Sequence, residues 1–141
     1  MTATGRTLPV RDPKETEQQV HAYSSRVLDA LGVAGRLGHS DYTQPVDGGP
    51  HGADVYAVTH FWQLDAVPAA DHAGAVRRVR QYALNLGWRL LVDRADVPGA
   101  PEVRARGDAD GFTVHVVGIG TDDRIGIDVT SPYCRIPPTT G

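Results

Sequence analysis

The chain has 141 residues, of which 40% are hydrophobic and 22% are charged, and its formal net charge is −3. This length fits a single domain that buries a core without help from metals or disulfides, and the 16 glycines and 10 prolines indicate long loops. A small negative net charge gives no overall attraction for nucleic acid or anionic lipid. The sequence also shows no apolar stretch long enough to span a bilayer and no apolar core of a signal peptide.

The N-terminal part predicts a disordered lead-in followed by a helix. Residues 1–11 are polar and irregular, as is typical of a terminus that does not pack. The helix is predicted to begin at Asp12, because Asp12 can cap it, Pro13 suits its first position and Glu15 completes a capping box. Apolar residues then recur at spacings of three and four until Gly32, a typical stop.

Residues 32–53 predict a long loop, because glycine, proline and small polar residues occur there without a period. Four side chains in it carry groups that bind metals: His39, Asp41, Asp47 and His51. Nothing in their spacing sets the geometry of a metal site. We expect a solvated loop and predict no metal site.

A strand and a second amphipathic helix follow. Residues 54–64 are rich in β-branched and aromatic residues on both faces, which predicts a central strand. His60 falls on the face expected to be core, so we expect a satisfied or edge-exposed histidine there and not a catalytic one. Residues 68–86 show the helical period, with three arginines toward solvent: Arg77, Arg78 and Arg80. In the absence of a glycine-rich phosphate loop, we expect these arginines to form a solvated helix face and not a phosphate patch.

Two short strands are predicted after the second helix, at residues 88–92 and 102–106. The connections in this part of the chain are short, which favours antiparallel neighbours. From residue 132 onward, prolines exclude the interior of a sheet, and residues 137–141 predict a frayed tail.

The most strongly patterned segment is a hairpin at residues 111–131, whose two arms alternate apolar and polar side chains. A two-residue turn at Thr121 and Asp122 places the apolar side chains of both arms on one face. The same register places His115 directly opposite Asp128 on the polar face. We expect these two residues to form an exposed cross-strand ion pair.

Together the elements predict an α+β domain over residues 12–136. Both helices are expected on one face of a mainly antiparallel, four- to five-stranded sheet, in the order α-β-α-β-β-β-β, which makes a two-layer sandwich. The other face of the sheet then stays open. It exposes five side chains that we predict to bind a partner: Arg104, Thr113, His115, Asp128 and Thr130.

The C-terminal half carries three segments that point to a known group of proteins: GWR after the second helix, DGFTVHV, and IGIDVTSPYCRIP. Together these segments resemble the C-terminal pattern of small, largely uncharacterised lipoproteins and secreted proteins of actinobacteria. The resemblance implies the same order of elements and no enzymatic activity. It also implies a location outside the membrane, usually through a lipid on an N-terminal cysteine.

In that group, the closing Ser-Pro-x-Cys pattern often pairs its cysteine with one in the long loop. The present chain has one cysteine, Cys134, and Val46 occupies the approximate place of the partner. Because the disulfide partner and a signal peptide are both missing from the sequence, a cytoplasmic location is the alternative. A lone thiol among prolines is also a poor place for a nucleophile.

Three functions remain open from the sequence. The leading hypothesis is a non-enzymatic, extracytoplasmic interaction domain with a protein partner, because no nucleophile elbow, P-loop, dinucleotide-binding fingerprint or zinc motif is found. The second is a small hydrolase or metal-dependent enzyme that combines Asp47 or Asp128 with some of His39, His51, His60 and His115. The third is a small-ligand carrier lined by Tyr56, Trp62, Tyr82 and Trp88. We predict no catalytic residue and no cofactor, and the oligomeric state stays open.

Overall fold

The structure, a computed structural model, describes residues 8–138. This part of the chain forms two α-helices and eight strands, in the order α1 (Pro13–Leu31), β1 (Arg36–Leu37), β2 (Tyr42–Asp47), β3 (Val55–Asp65), α2 (His72–Asn85), β4 (Arg89–Arg94), β5 (Glu102–Arg106), β6 (Thr113–Ile119), β7 (Arg124–Thr130) and β8 (Cys134–Arg135). The predicted α+β class is confirmed. None of the helices in residues 8–138 has the length and apolar character needed to cross a membrane.

All eight strands belong to one sheet, and every strand pairs antiparallel with its neighbours. β1 and β2 pair with one edge of the long strand β3, and β7 and β8 pair with its other edge. Beyond β7 the sheet continues through β6 and β5 to β4. The predicted antiparallel sheet is confirmed, but the predicted number of four to five strands is too low.

The prediction of one long loop over residues 32–53 is wrong, because this segment contains the strands β1 and β2. β1 has two residues, which is too short for any alternation to be visible, and β2 contains Pro45 in its middle. Proline is tolerated in β2 because this strand lies at the edge of the sheet, where one row of amides needs no partner. Pairing with the buried strand β3 therefore orders a segment whose own sequence predicts no strand.

The core lies between the helices and one side of the sheet. Alternate residues of the central strands point into it, among them Trp62 of β3, Val116 of β6 and Ile127 of β7, and each is at most 3% exposed. α1 packs on β3 and β7 and contributes Val20 and Val27, whereas α2 packs on β4, β5 and β6. Burial of each such side chain contributes roughly 1.5–3 kcal/mol. Both helices thus share one side of the sheet, and neither packs on the other side.

Helix α1 starts and stops at the predicted positions, with a proline at its first position. The carbonyl of Asp12 accepts a hydrogen bond from the amide of Thr16 (3.1 Å), but the Asp12 side chain makes no capping bond, so the predicted capping box does not form. At the C-terminal end, Gly32 adopts a φ of 64°, a left-handed conformation that favours glycine. Arg78 of α2 donates to the carbonyl of Leu31 (2.9 Å) and ties the two helices together.

The ends of the domain lie side by side. Residues 1–7 of the predicted lead-in are outside the described residues, but the amide of Arg11 donates to the carbonyl of Arg135 (3.0 Å) and Val10 bridges to the same residue. β8 in turn pairs with the first residues of β3. Of the predicted tail at 137–141, residues 139–141 are outside the described residues.

The predicted register of the hairpin is confirmed. In the pair of β6 and β7, Val116 is opposite Ile127 and His115 is opposite Asp128. The turn is longer than predicted: residues 120–123 lie between the paired ends, and the last of them adopts a φ of 50°. The register is nevertheless the predicted one, because this four-residue connection has the same centre as the predicted two-residue turn.

Candidate interaction face

The side of the sheet on which neither helix packs, here called the open face, collects the five side chains predicted to lie there. Arg104, His115 and Asp128 are direct cross-strand neighbours on β5, β6 and β7. Thr113 and Thr130 are opposite each other in the adjacent row. Such neighbours have Cβ atoms about 4.5–5.5 Å apart, so the five side chains form one continuous surface.

His115 lies at the centre of the open face between two carboxylates. Its Nδ1 is 3.0 Å from Oδ2 of Asp128, and its Nε2 is 2.6 Å from Oε2 of Glu102. Both ring nitrogens can donate only when the imidazole is protonated. The hydrogen bond to Asp128, together with that to Glu102, outweighs the effect of burial and raises the pKa of His115 above its ordinary value. The geometry therefore favours an imidazolium, which balances one of the two carboxylate charges.

Glu102 is the member of this cluster that sequence reasoning missed. It is directly opposite Val117 and reaches His115 diagonally between β5 and β6. The sequence predicts both strands, but the irregular turn between them does not set their register. The one feature of the sequence that points to Glu102 as a partner of His115 is its acidic side chain on the strand before the hairpin.

Three arginines, here called the arginine patch, lie on the β4–β5 side of the open face: Arg94, Arg104 and Arg106. Within residues 8–138, no carboxylate oxygen lies within 4.0 Å of their guanidinium nitrogens. The nearby acids Glu102 and Asp128 both bind His115. Because His115 balances one of these two carboxylates, three arginines face one remaining negative charge, and this half of the open face keeps two net positive charges in a chain of net charge −3.

Two of the three arginines of α2 differ from those of the arginine patch in having an acidic partner. Arg77 pairs with Asp96 at 3.0 Å, and Arg80 pairs with Asp93 at 2.9 Å. All four side chains are at least 36% exposed, so these pairs contribute little to stability. Arg77 and Arg80 are therefore solvated, as the sequence predicts, and each is paired with an aspartate, whereas Arg78 donates to the carbonyl of Leu31.

The opposite end of the open face is aromatic. Tyr42 of β2 lies opposite Phe61 of β3, and their rings stack with centroids 5.4 Å apart. Tyr42 remains 47% exposed. Phe61 is in turn opposite Asp128. One unbroken row of side chains therefore crosses the sheet from the aromatic pair through His115 to Arg104.

A second histidine cluster lies on the helix side of the sheet, near β2. His60 is 6% exposed, its Nδ1 is 2.7 Å from Oγ of Ser24, and its Nε2 is 2.9 Å from Oδ1 of Asp41. When Nε2–H donates to the carboxylate, Nδ1 accepts the hydroxyl proton of Ser24. The ring of His21 contacts that of His60 at a tilt of 35° with centroids 4.3 Å apart, and His21 makes a 2.9 Å hydrogen bond to Thr43. The cluster satisfies His60, as predicted, and attaches the β2 region to α1.

Ser24, His60 and Asp41 are the residue types of a hydrolytic triad, but their placement is that of a structural cluster. Ser24 lies on the buried side of α1, facing β3, and is 5% exposed, so a substrate has no access to its hydroxyl. Among the other groups considered for an enzyme, Asp47 accepts the amide of Gly49 at 2.8 Å. Across residues 8–138, no three His, Cys, Asp or Glu side chains are grouped so that they could hold a metal ion.

The aromatic residues considered for a carrier pocket contribute to the core and its margin. Tyr56, Trp62 and Trp88 belong to the buried cluster. The cavity beside Trp88 and Tyr82 has a volume of about 10 Å³, which is at the lower limit for a single water molecule. This space does not accommodate a ligand.

Cys134 is fully buried, and burial raises the pKa of its thiol. It pairs with Tyr56 on one edge of β3, whereas Val46 lies on the opposite edge. Two strand spacings amount to about 10 Å, which exceeds the reach of a disulfide. Val46 therefore does not occupy a position from which a cysteine would bridge to Cys134.

Comparisons of the chain with known protein families, with curated proteins and with solved structures find no match. We therefore infer the function from the geometry and charge of the open face.

Proposed function

We propose that the protein is a non-enzymatic interaction domain that binds an acidic segment of a partner protein through the open face. The observation that carries this proposal is the arginine patch, whose three guanidinium groups have no carboxylate within 4.0 Å among residues 8–138. Each guanidinium has a planar fork of donors that matches the two oxygens of a carboxylate. An acidic partner segment supplies the charges that this surface lacks.

The rest of the open face supports a protein segment as the ligand. Exposed tyrosine and arginine are enriched at protein interfaces, and here Tyr42 and Arg104 lie at the two ends of one row. From Tyr42 on β2 to Arg104 on β5 the row crosses four strand spacings, or about 19 Å, which an extended segment of about six residues spans. We expect its apolar side chains at the aromatic pair and its acidic side chains at the arginine patch.

The edges of the sheet are less suited to binding than the face. One edge strand, β2, contains Pro45, and the other, β4, has a bulge between Leu90 and Val92 and ends in Arg94. Proline, bulges and charged residues protect edge strands against the addition of another strand. The side chains of the open face are therefore the binding surface in this proposal.

The proposal is tested by the affinity of a fluorescently labelled glutamate-rich peptide, measured by anisotropy at low and at physiological salt. The double variant Arg94→Gln/Arg104→Gln should bind about tenfold more weakly or worse, because it removes two charges from the patch. The matched control, Arg77→Gln/Arg80→Gln, makes the same change in net charge on α2 and should stay within about twofold of the unmodified protein.

Equal weakening in both double variants would show that only net charge matters, and it would sink the proposal. A lysine-rich peptide or a single-stranded oligonucleotide that binds more tightly than the acidic peptide would also contradict it. The first outcome removes the arginine patch as a site, and the second assigns the patch a different class of ligand.

A further inference from the structure

A cavity of about 510 Å³ opens at one end of the sheet, between the β5–β6 turn, the segment after β7 and the N-terminal segment. Its volume falls in the range of small-molecule sites, about 300–1,000 Å³. It shares Arg106 and Thr113 with the open face, but Arg94 and Arg104 do not line it. Arg106 thus belongs to both the cavity and the arginine patch, whereas Arg94 and Arg104 belong to the patch alone and allow the two sites to be tested separately.

Two guanidinium groups in the wall of the cavity, from Arg11 and Arg106, have no carboxylate within 4.0 Å among the described residues. Arg11 donates to the neutral side-chain oxygen of Gln19 at 2.6 Å, which leaves its charge uncompensated. The wall also contains the hydroxyl-bearing residues Thr113 and Tyr133. The cavity thus offers fixed positive charge together with hydrogen-bond donors.

The two carboxylates in the wall are already engaged. Asp108 pairs with Arg89 at 3.2 Å. Asp110 accepts the hydroxyl of Tyr23 and, at 3.2 Å, the amide of Phe112. Burial and then the bond to Asp110 raise the pKa of the Tyr23 phenol, so Tyr23 stays protonated and remains a donor to this carboxylate.

The wall itself contains two arginines and two aspartates, Arg11, Arg106, Asp108 and Asp110. Arg89, outside the wall, neutralises Asp108. With Arg89 included, three arginines face two aspartates, and the one net positive charge that remains matches a monoanion. A dianion such as phosphate would remain unbalanced and would lie near the carboxylate of Asp110. The wall also includes the apolar residues Leu8, Ala109 and Pro132. These apolar side chains can contact the hydrocarbon part of a ligand, but they offer no hydrogen bond or opposite charge to a multiply charged one.

We propose that this cavity binds a small organic monocarboxylate with an apolar body, held through a two-bond fork from Arg106 and by the charge of Arg11. Carboxylates bind arginine in this planar geometry more strongly than neutral groups do. The position of Arg106 beside Thr113 and the turn at Gly111 places the fork at the junction of the cavity with the open face.

The test is a two-dimensional ¹H–¹⁵N NMR titration of the full chain with benzoate, with its neutral analogue benzamide and with inorganic phosphate. We expect benzoate to give saturable shifts at the amides of Gly111, Thr113 and Tyr133, with a dissociation constant on the order of millimolar. Benzamide and phosphate should bind at least about tenfold more weakly. Arg106→Gln should weaken benzoate by about tenfold or more, and Arg106→Lys should restore part of the affinity.

The matched control is Arg94→Gln, which removes an arginine of the same face outside the cavity and should leave benzoate binding unchanged. Equal shifts with benzamide, tighter binding of phosphate, or an affinity unaffected by Arg106→Gln would each overturn the proposal. Because Arg94→Gln/Arg104→Gln leaves the cavity intact, loss of peptide binding in that variant and loss of benzoate binding in Arg106→Gln report on the two proposals separately.

Discussion

His115 is the residue at which the electrostatics of the open face can be measured directly. We expect an NMR titration to give His115 a pKa above about 6.5, the value of an isolated histidine, because Asp128 and Glu102 both stabilise the imidazolium. Asp128→Asn should lower this pKa, since the amide keeps the size of the side chain and removes its charge. A value at or below 6.5, or one that Asp128→Asn leaves unchanged, would contradict the cluster.

The same cluster makes stability depend on pH. Because the pKa of His115 is higher in the folded than in the unfolded chain, its contribution is present in full below about pH 6.5 and is lost as the pH rises through the folded-state pKa. The difference in unfolding free energy between the unmodified protein and His115→Gln should be on the order of 1 kcal/mol at the lower pH. Urea unfolding at several pH values should show this difference shrinking toward alkaline pH, whereas a constant difference would show that packing alone is responsible.

Ser24 allows a test of the buried cluster that leaves the open face untouched. Ser24→Ala removes the hydroxyl that is hydrogen-bonded to Nδ1 of His60 and leaves this buried ring nitrogen without a partner. We expect a loss of about 1–3 kcal/mol in the free energy of unfolding. The neighbouring Ser25 is exposed, so Ser25→Ala should change stability by no more than about 0.5 kcal/mol. Equal effects at both positions would mean that the loss at Ser24 comes from the helix and not from His60.

These residues also show which parts of a site can be predicted from sequence. The pair of His115 and Asp128 follows from one hairpin, because a short turn sets the register of its two arms. Glu102 and Ser24 do not follow, since their contacts depend on the register between β5 and β6 and on the placement of α1 over β3. A polar residue on an apolar helix stripe, such as Ser24, signals a buried partner but not its identity.

At the scale of elements, the contact between β6 and α2 depends on a glycine. A Cβ atom at Gly118 would lie 2.9 Å from Cβ of His72 and 3.0 Å from Cγ of Pro101. His72 has little room to move, since it is 1% exposed and its Nε2 donates to the carbonyl of Val67 at 2.7 Å.

We therefore expect Gly118→Ala to destabilise the protein by about 1–3 kcal/mol in chemical unfolding. The matched control lies on the adjacent strand: a Cβ atom at Gly126 would meet Cγ1 of Val117 at 3.6 Å, an ordinary contact. Gly126→Ala should be neutral or stabilise the protein by up to about 1 kcal/mol, because alanine restricts the unfolded chain. If both variants behave alike, α2 does not approach β6 as closely as described.

The elements that the sequence predicts correctly are long and strongly periodic. Both helices and the strands β3, β5, β6 and β7 bury alternate or helically spaced residues over at least five positions, and that burial is the physical cause of the pattern. β1, β2 and β8 order because β3 offers them two free edges. Their stability comes from a partner distant in the chain, so their own residues carry little signal.

At the scale of the whole molecule, the α+β class follows from counting apolar surfaces. Each helix has one apolar stripe and the sheet has one apolar side, so both helices are expected to share that side. The order of strands does not follow in the same way. β3 lies between β2, its neighbour in sequence, and β7, which is distant in sequence. Local connections give no information about the long-range pairing of β3 with β7.

The central claim is that the open face is the binding surface of this protein, and its most direct test is a map of the backbone amides that shift on addition of the glutamate-rich peptide. The account predicts that the ¹H–¹⁵N shifts concentrate on β4, β5 and β6 around Arg94, Arg104 and His115, and that they decrease in Arg94→Gln/Arg104→Gln. Shifts concentrated on the helices, or scattered over all exposed arginines including Arg77 and Arg80, would contradict it.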